Sequence, residues 1–372
     1  MKRVGNLYDK ICDPTNLELA HKHAKKGKGW YAEVLQVDNN LDRYLEDLRN
    51  IMINHEYETS EYQVFSRKEG HKIREICKLP YYPDRIAQWS IMQVIEPYLI
   101  RNLITDTYSA IAGRGSHRAI AKLQKSLKYD IEGTQYCLKL DIRKYYANID
   151  HEVLKDIYAR LFKDDELLWI IGEIIDSTDG EVGIPIGNYI SQWSGNIYLS
   201  SFDHWLKETK RVKHYFRYMD DMIILGSSKE QLHQLRIEIE EYLDKNLKLK
   251  LKDNWQVFSV DSDRGIDFIG YRVFRNYTLL RKSIATNFKK RMTEISRKIE
   301  EGNSITFSDY CSAYSYKGWL LHCNCYNLMQ KYLAPIQPYL DEYYRKEIKP
   351  HESKKNRSER TICNQTIFNQ DH

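Results

Sequence analysis

Two adjacent acids, Asp220 and Asp221, lie between two runs that read as strands, His214-Tyr-Phe-Arg-Tyr218 and Met222-Ile-Ile-Leu-Gly226. Carboxylates held that close in a protein interior repel each other, and the arrangement makes sense when a divalent cation neutralises them. Mg²⁺ suits such a place, because it takes one or two carboxylates and completes its shell with phosphate oxygens and water. A third acid, Asp141, ends the apolar stretch Tyr136-Cys-Leu-Lys-Leu140, so a second strand terminus can carry it to Asp220. Strand ends converging on a pair of metal ions are a design for in-line phosphoryl or nucleotidyl transfer.

Four motifs in order resemble those of the reverse transcriptases. Tyr218-Met-Asp-Asp221 is similar to their YxDD box, and Leu138-Lys-Leu-Asp-Ile-Arg-Lys-Tyr-Tyr-Ala-Asn-Ile-Asp150 to their first palm motif. Gly183-Ile-Pro-Ile-Gly-Asn-Tyr-Ile-Ser-Gln192 is similar to the next, and Arg264-Gly-Ile-Asp-Phe-Ile-Gly-Tyr-Arg272 to the primer grip. Within the family, the wording Ile186-Gly-x-x-x-Ser-Gln192 resembles the enzymes of diversity-generating retroelements, whereas group II intron and retroviral enzymes usually open this motif with Gln-Gly. Arg3-Val-Gly-Asn-Leu-Tyr-Asp9 and Leu279-Leu-Arg-Lys-Ser283 resemble the same subgroup, so the likeness runs from the N-terminus to about residue 340.

The resemblance implies an α/β (α+β) right-hand polymerase with a palm sheet, fingers and a helical thumb. It implies RNA-directed DNA polymerase chemistry with two Mg²⁺ ions, Mn²⁺ being the alternative. Asp141, the backbone carbonyl of Ile142 and Asp220 would bind metal; Asp221 either binds it too or tunes its neighbour, and Asp150 reads as a helix cap. Tyr146 matches the aromatic ring beneath the sugar of the incoming nucleotide, where it collides with a 2′-hydroxyl, while neighbouring Tyr145 reads as core. Arg74 matches the fingers cation that pairs with the triphosphate, a contact that a forked guanidinium suits. Ile186, Gly187 and Gln192 belong to the base-pair and template side. Lys250 matches a lysine that protonates the leaving pyrophosphate, although Lys248 and Lys252 alternate with it. Arg114 falls in the fingers near the template strand, and Gly270 and Tyr271 fall in the primer grip.

The implied partners are template RNA, the cDNA or primer, dNTPs and a small basic accessory protein, the enzyme copying a template-repeat RNA with errors at adenines. A phage-defence reverse transcriptase of bacteria is the alternative inside the family. A non-catalytic RNA-binding scaffold is the alternative outside it, since fold alone does not establish activity.

Composition sets limits. The 372 residues are 42% hydrophobic and 29% charged, which describes a globular protein able to bury a large core. No run of about 18 apolar residues is present, so neither a membrane span nor a secretion signal is expected. Seven scattered cysteines do not make a disulfide scaffold and point to a reducing cytoplasm, bacterial or phage-encoded in this setting. The net charge of +5 is concentrated late in the chain: Arg281 to His372 carries 16 Lys and Arg against 10 Asp and Glu, the remainder 41 against 42. Such an excess suits a phosphate backbone, and the 29 tyrosines suit stacking on unpaired bases.

Four regions follow from these patterns. Residues 1–55 form an N-terminal extension, with helices over 17–24 and 41–53 around a Lys25-Lys-Gly-Lys-Gly29 loop. Residues 56–282 form fingers and palm. There a hairpin of 62–65 and 72–76 turns at Glu69-Gly70, a helix over 84–99 is capped by Asp84, and helices begin at Asp150 and run over 189–206 and 229–243. The polar strip Ser191, Gln192 and Asn196 is expected to face substrate. Residues 283–347 read as a three-helix thumb broken at Pro335 and Pro338, and 348–372 as a flexible basic tail. Gly113-Arg-Gly-Ser116 is not an NTPase phosphate loop, and His322-Cys-Asn-Cys325 lacks the second ligand pair of a zinc site.

Overall fold

A computed structural model describes residues 2–69 and 72–349. Strands β1 (Gln63–Glu69) and β2 (Lys72–Lys78) pair as an antiparallel hairpin, longer than the alternation suggests, and its tip at Gly70 lies outside the described residues. Strands β3 (Tyr136–Asp141), β4 (His214–Tyr218), β5 (Asp221–Gly226) and β6 (Gln256–Ser259) make a four-stranded sheet in the order β4-β5-β3-β6. Cys137, Leu138 and Leu140 of β3 and Met222 to Leu225 of β5 are buried. A sheet covered on both faces gives such continuous apolar runs in place of alternation.

Local chemistry starts the helices around this sheet. Asp150 accepts from Val153 N at 3.0 Å and so caps the His151–Leu161 helix. Asp164 caps the Asp165–Ile175 helix and also accepts from Leu7 N at 2.6 Å, which ties the start of the chain to it. Asp13 and Pro14 open the Pro14–Ala24 helix, and a short helix at Ala32–Asp38, which periodicity had not suggested, precedes Leu41–Ile53.

Two expectations are corrected here. Asp84 caps nothing: its carboxylate is buried and accepts from Tyr57 Oη at 2.9 Å and Ser60 N at 3.2 Å, while the Ile86–Asn102 helix starts without a side-chain cap. The helix expected over 189–206 breaks at Leu199, giving Tyr189–Tyr198 and Ser200–His204. Its polar strip does not face outward as a whole, because Ser191 and Asn196 are buried and Gln192 alone of the three is exposed.

These elements belong to a compact unit of residues up to Ala119 plus Tyr136–Phe258; a second unit takes Ile120–Gln135 and the chain from Ser259 onward. The second unit holds strands β7 (Ile266–Phe268), β8 (Tyr271–Val273) and β9 (Thr278–Leu280), antiparallel throughout, and helices Lys282–Glu300, Phe307–Leu320, Tyr326–Tyr332 and Gln337–Tyr343. Thr306 and Asp309 form a capping box, and Asp309 also takes Arg291 at 2.7 Å and Lys298 at 3.1 Å. The last helix is interrupted around Pro335 and Pro338, as ring geometry demands. The tail expected over 348–372 lies, after residue 349, outside the described residues. Among those described, no helix is long and apolar enough to cross a membrane.

Candidate active site

Register places the acids. β3 and β5 are antiparallel with Asp141 directly opposite Asp221, and β4 pairs with β5 so that Tyr218 also faces Asp221. The two-residue turn between them is Met219-Asp220, with Met219 at φ +52°, a left-handed value uncommon for a residue with a side chain. Asp141 and Asp220 therefore meet where two strands end. Burial, then the charge of Asp141, pushes the Asp220 carboxyl up to about 6. Lys252 Nζ lies 2.6 Å from Asp141 Oδ1, and Lys139 Nζ lies 3.7 Å from Asp221 Oδ1.

The donor set fits a hard divalent cation that shares its shell with a substrate. Two carboxylates are in place, the charge of Asp141 disfavouring ionisation of Asp220, and Ile142 follows Asp141 in an antiparallel bridge to Leu251. Among the described residues no group of three or more His, Cys, Asp or Glu is arranged around one metal position. The remaining ligands would then come from phosphate oxygens and water, as Mg²⁺ commonly arranges.

Tyr146 forms one wall. Its hydroxyl donates to Met219 Sδ at 3.6 Å, and burial followed by the charge of Asp220 raises its pKa, with Arg74 of β2 opposing. Tyr145 is buried, its hydroxyl donating to the Gly195 carbonyl, so it is a core residue as expected. The Gly183–Asn188 loop is stitched on both sides: Ile184 N donates to Tyr146 O at 2.9 Å, and Cys77 N of β2 donates to Ile186 O at 2.8 Å. Gly187, at φ +129°, is where backbones touch, since a Cβ there would sit 2.3 Å from the Cys77 carbonyl oxygen. Asn188 Nδ2 donates to Tyr62 Oη at 2.8 Å and braces the same loop. Arg74 and Gln192 are both exposed. Arg74, Tyr146 and the Ile186-Gly187 loop thus gather on one side of the acids.

Other expected site residues land elsewhere. Lys250 is exposed and its carbonyl accepts from Arg143 N at 2.8 Å; the lysine that reaches Asp141 is Lys252, while Lys248 Nζ bonds Asp150 at 2.5 Å. Arg114 donates to the Ile104 carbonyl at 2.7 Å and so braces its own loop. Tyr271 does not present itself to a primer. It is 0% exposed, its ring lies 5.2 Å from that of Trp319, and its hydroxyl donates to Trp319 O at 3.1 Å. Strand alternation explains this, because Tyr271 and Val273 point inward and leave Arg272 at the surface. Gly270, at φ +78°, is a packing position, with Trp319 and Ile284 where its Cβ would be.

One element went unseen in the sequence. Arg217 and Asp203, both 0% exposed, pair beneath the turn, with Arg217 Nη2 2.6 Å from Asp203 Oδ2 and Nε 2.8 Å from Oδ1. Arg217 also donates to the carbonyls of Met219 at 3.2 Å and Asn196 at 3.0 Å. It therefore holds the turn that carries Asp220. The signal was present as one cation among the aromatic residues of β4 and one acid next to Phe202 in the Ser200–His204 helix, each unable to be buried alone.

A family model, reverse transcriptase (RNA-dependent DNA polymerase), matches residues 66–273, more than half of the chain. The chain belongs to the reverse transcriptase family. This reverse transcriptase has the mixed helix-and-sheet polymerase fold of the family. It is 24% identical to Protein YkfC of Escherichia coli strain K12 over 295 residues, 65% of this chain and 76% of that protein. Among solved structures it is similar to apo telomerase of Candida tropicalis, at a TM-score of 0.48 and 12% identity, over 69% of this chain and 53% of the other. A telomerase of Candida albicans in complex with the TWJ fragment of telomeric RNA gives 0.47 and 12%, over 79% and 61%. The reverse transcriptase spans about half the length of the first telomerase and about three-fifths of the second.

Proposed function

We propose that this reverse transcriptase copies RNA into cDNA by nucleotidyl transfer at Asp141 and Asp220, and that it is the adenine-mutagenic enzyme of a diversity-generating retroelement. The reading of the chemistry rests on the Asp141–Asp220 pair at converging strand ends, with Tyr146 beside it. Asp141, Asp220 and the carbonyl of Ile142 would hold two Mg²⁺ ions, which supply the positive charge that eases ionisation of the primer 3′-hydroxyl and departure of pyrophosphate. Asp221, ion-paired with Lys139, acts as a positioning group for its neighbour. Tyr146 excludes a 2′-hydroxyl by overlap. Arg74 pairs with the triphosphate, and Gln192 with Gly187 borders the nascent base pair. Lys252, whose Nζ lies beside Asp141, takes the proton-donor role that the family resemblance assigned to Lys250. The helices of residues 283–347 serve as the thumb along the duplex.

The retroelement setting is supported by Ile186, a branched apolar residue whose carbonyl, not its side chain, is used by the neighbouring strand. A pocket that discriminates by apolar contact separates competitors by only about 1–3 kcal/mol. Primer extension on a defined RNA with sequenced cDNA, with and without whatever small basic accessory protein a neighbouring gene supplies, is the test. Errors concentrated at template adenines and reduced by Ile186→Gln are expected. Uniformly low misincorporation would favour the phage-defence role, and no Mg²⁺-dependent extension at all would favour the scaffold.

A further inference from the structure

The His322-Cys-Asn-Cys325 segment lacks the ligands of a zinc site, yet it brings two sulfurs together. Cys323 Sγ and Cys325 Sγ lie 3.1 Å apart, Cys323 donating. The backbone enforces this closeness: Cys325 N donates to Cys323 O at 2.9 Å, an i to i+2 turn that folds the two residues toward each other. A disulfide needs Cα atoms roughly 4.4–6.8 Å apart, and residues two apart in a closed turn fall in that range. Asn324 pins the turn to β9, its N donating to Thr278 O at 2.7 Å and its Oδ1 accepting from Thr278 N at 2.9 Å. On the helix side, Cys323 Sγ lies 3.6 Å from the carbonyl oxygens of Trp319 and Leu320.

The two thiols are unequal. The hydrogen bond from Cys323 lowers the Cys325 thiol against the effect of burial, and the Leu280 amide adds to the lowering. Cys323 moves the other way, because its bond to Cys325, then burial and the charge of Cys325, hold its proton. Burial pushes the thiols of Cys12 and Cys77 up as well, so Cys325 alone of these four is shifted toward the reactive thiolate. It also borders a cavity of about 450 Å³, with Leu280, Ala285, Lys289 and Tyr326 among the walls, which has room for a small oxidant.

We propose that Cys325 and Cys323 form a peroxide-reactive dithiol, Cys325 attacking and Cys323 resolving, that closes to a disulfide within the chain. The Cys325 sulfur attacks one oxygen of a hydroperoxide, the O–O bond breaks, and the departing hydroxide or alkoxide takes up a proton. Cys325 is then a sulfenic acid. The Cys323 sulfur attacks the Cys325 sulfur, the S–O bond breaks, and hydroxide leaves with the Cys323 proton as water. In sum the two thiols lose two electrons and two protons, and hydrogen peroxide becomes two waters. Excess small thiol reverses the bridge by exchange. Closure removes the charge from the Cys325 sulfur and so deprives the Leu280 amide of a charged acceptor, just before the Lys282–Glu300 helix. The pair shares no residue with the Asp141–Asp220 site.

The test uses the full chain in chelator, given a brief pulse of hydrogen peroxide, alkylated with iodoacetamide and digested with trypsin. The peptide Gly318–Lys331 holds these two cysteines and no other. It should be lighter by two hydrogens than its reduced form, unalkylated, and restored by dithiothreitol. Closure should run about tenfold faster in the folded chain than in guanidinium at the same pH, since folding supplies both the thiolate and the proximity. In Cys323→Ser, dimedone should trap a sulfenic acid on Cys325; in Cys325→Ser, Cys323 should stay alkylatable. A wild-type peptide that stays alkylatable while free glutathione is oxidised would overturn the proposal, as would bridges between chains in its place or closure no faster in the folded chain. Dimedone on Cys323 in the Cys325→Ser variant, with none on Cys325 in the other, would overturn the assignment of attacking and resolving thiols.

Discussion

Asp203→Asn tests whether the buried ion pair beneath the Met219-Asp220 turn carries the site. In the wild type, the Asp203 carboxylate accepts from Arg217 Nε and Nη2 at 2.6–3.0 Å, from Tyr215 Oη at 2.7 Å and from Thr107 Oγ1 at 3.3 Å. Neutralising it leaves the Arg217 cation buried without a counter-charge, a loss of about 3–5 kcal/mol. For a folding unit of this size, that corresponds to a melting midpoint roughly 6–20 °C lower. Scanning fluorimetry in chelator measures it without involving the metal. The paired replacement Asp203→Leu/Arg217→Met removes both charges and should recover most of the lost stability. It should still extend primers slowly, because the Met219 carbonyl has lost the donor that holds the turn. A midpoint for Asp203→Asn within about 2 °C of wild type would refute the stability argument. Full activity in the stable double variant would refute the positioning argument.

Asp141→Asn or Asp220→Asn should cut nucleotide addition by on the order of a thousandfold in primer extension, with RNA binding retained. In metal-free protein, Asp220→Asn should raise the melting midpoint above about pH 6, since the folded state disfavours the ionised carboxyl. That gain should fade as pH falls through 6 into the ordinary carboxylate range, where the wild-type group becomes neutral too. Tyr146→Val should raise ribonucleotide over deoxynucleotide incorporation roughly tenfold or more, whereas Tyr146→Phe should leave the ratio unchanged. Gly187→Ala should push a methyl into the Cys77 carbonyl and displace the loop from β2, with catalytic efficiency falling about 100-fold and hairpin proteolysis rising; wild-type values for both would show that the contact yields. Lys289→Glu/Lys290→Glu, exposed on the Lys282–Glu300 helix, should flatten the salt dependence of primer-template binding, and an identical slope would mark that charge as merely solvated.

The sequence alone determined the strands that carry Asp141 and Asp221, the turn that carries Asp220, the Asp150 cap and the broken last helix. These depend on local patterns, namely apolar runs, an acid at a helix start and proline geometry, and local patterns survive without knowledge of the partner surface. It also carried the family, through four motifs in order. What the tertiary structure decided was which side chain faces which neighbour. Three lysines alternate after residue 247, and only the bridge of Leu251 to Ile142 selects Lys252 for Asp141. Tyr271 matched a motif, yet strand alternation and Trp319 placed it in a core. Asp84 has a helix-capping composition around it, but Tyr57 and Ser60, more than 20 residues away in sequence, offered better donors. The Arg217–Asp203 pair needed a strand and a helix to meet before either charge could be buried. Contacts between distant segments are set by packing, and packing is written in no single stretch of the chain.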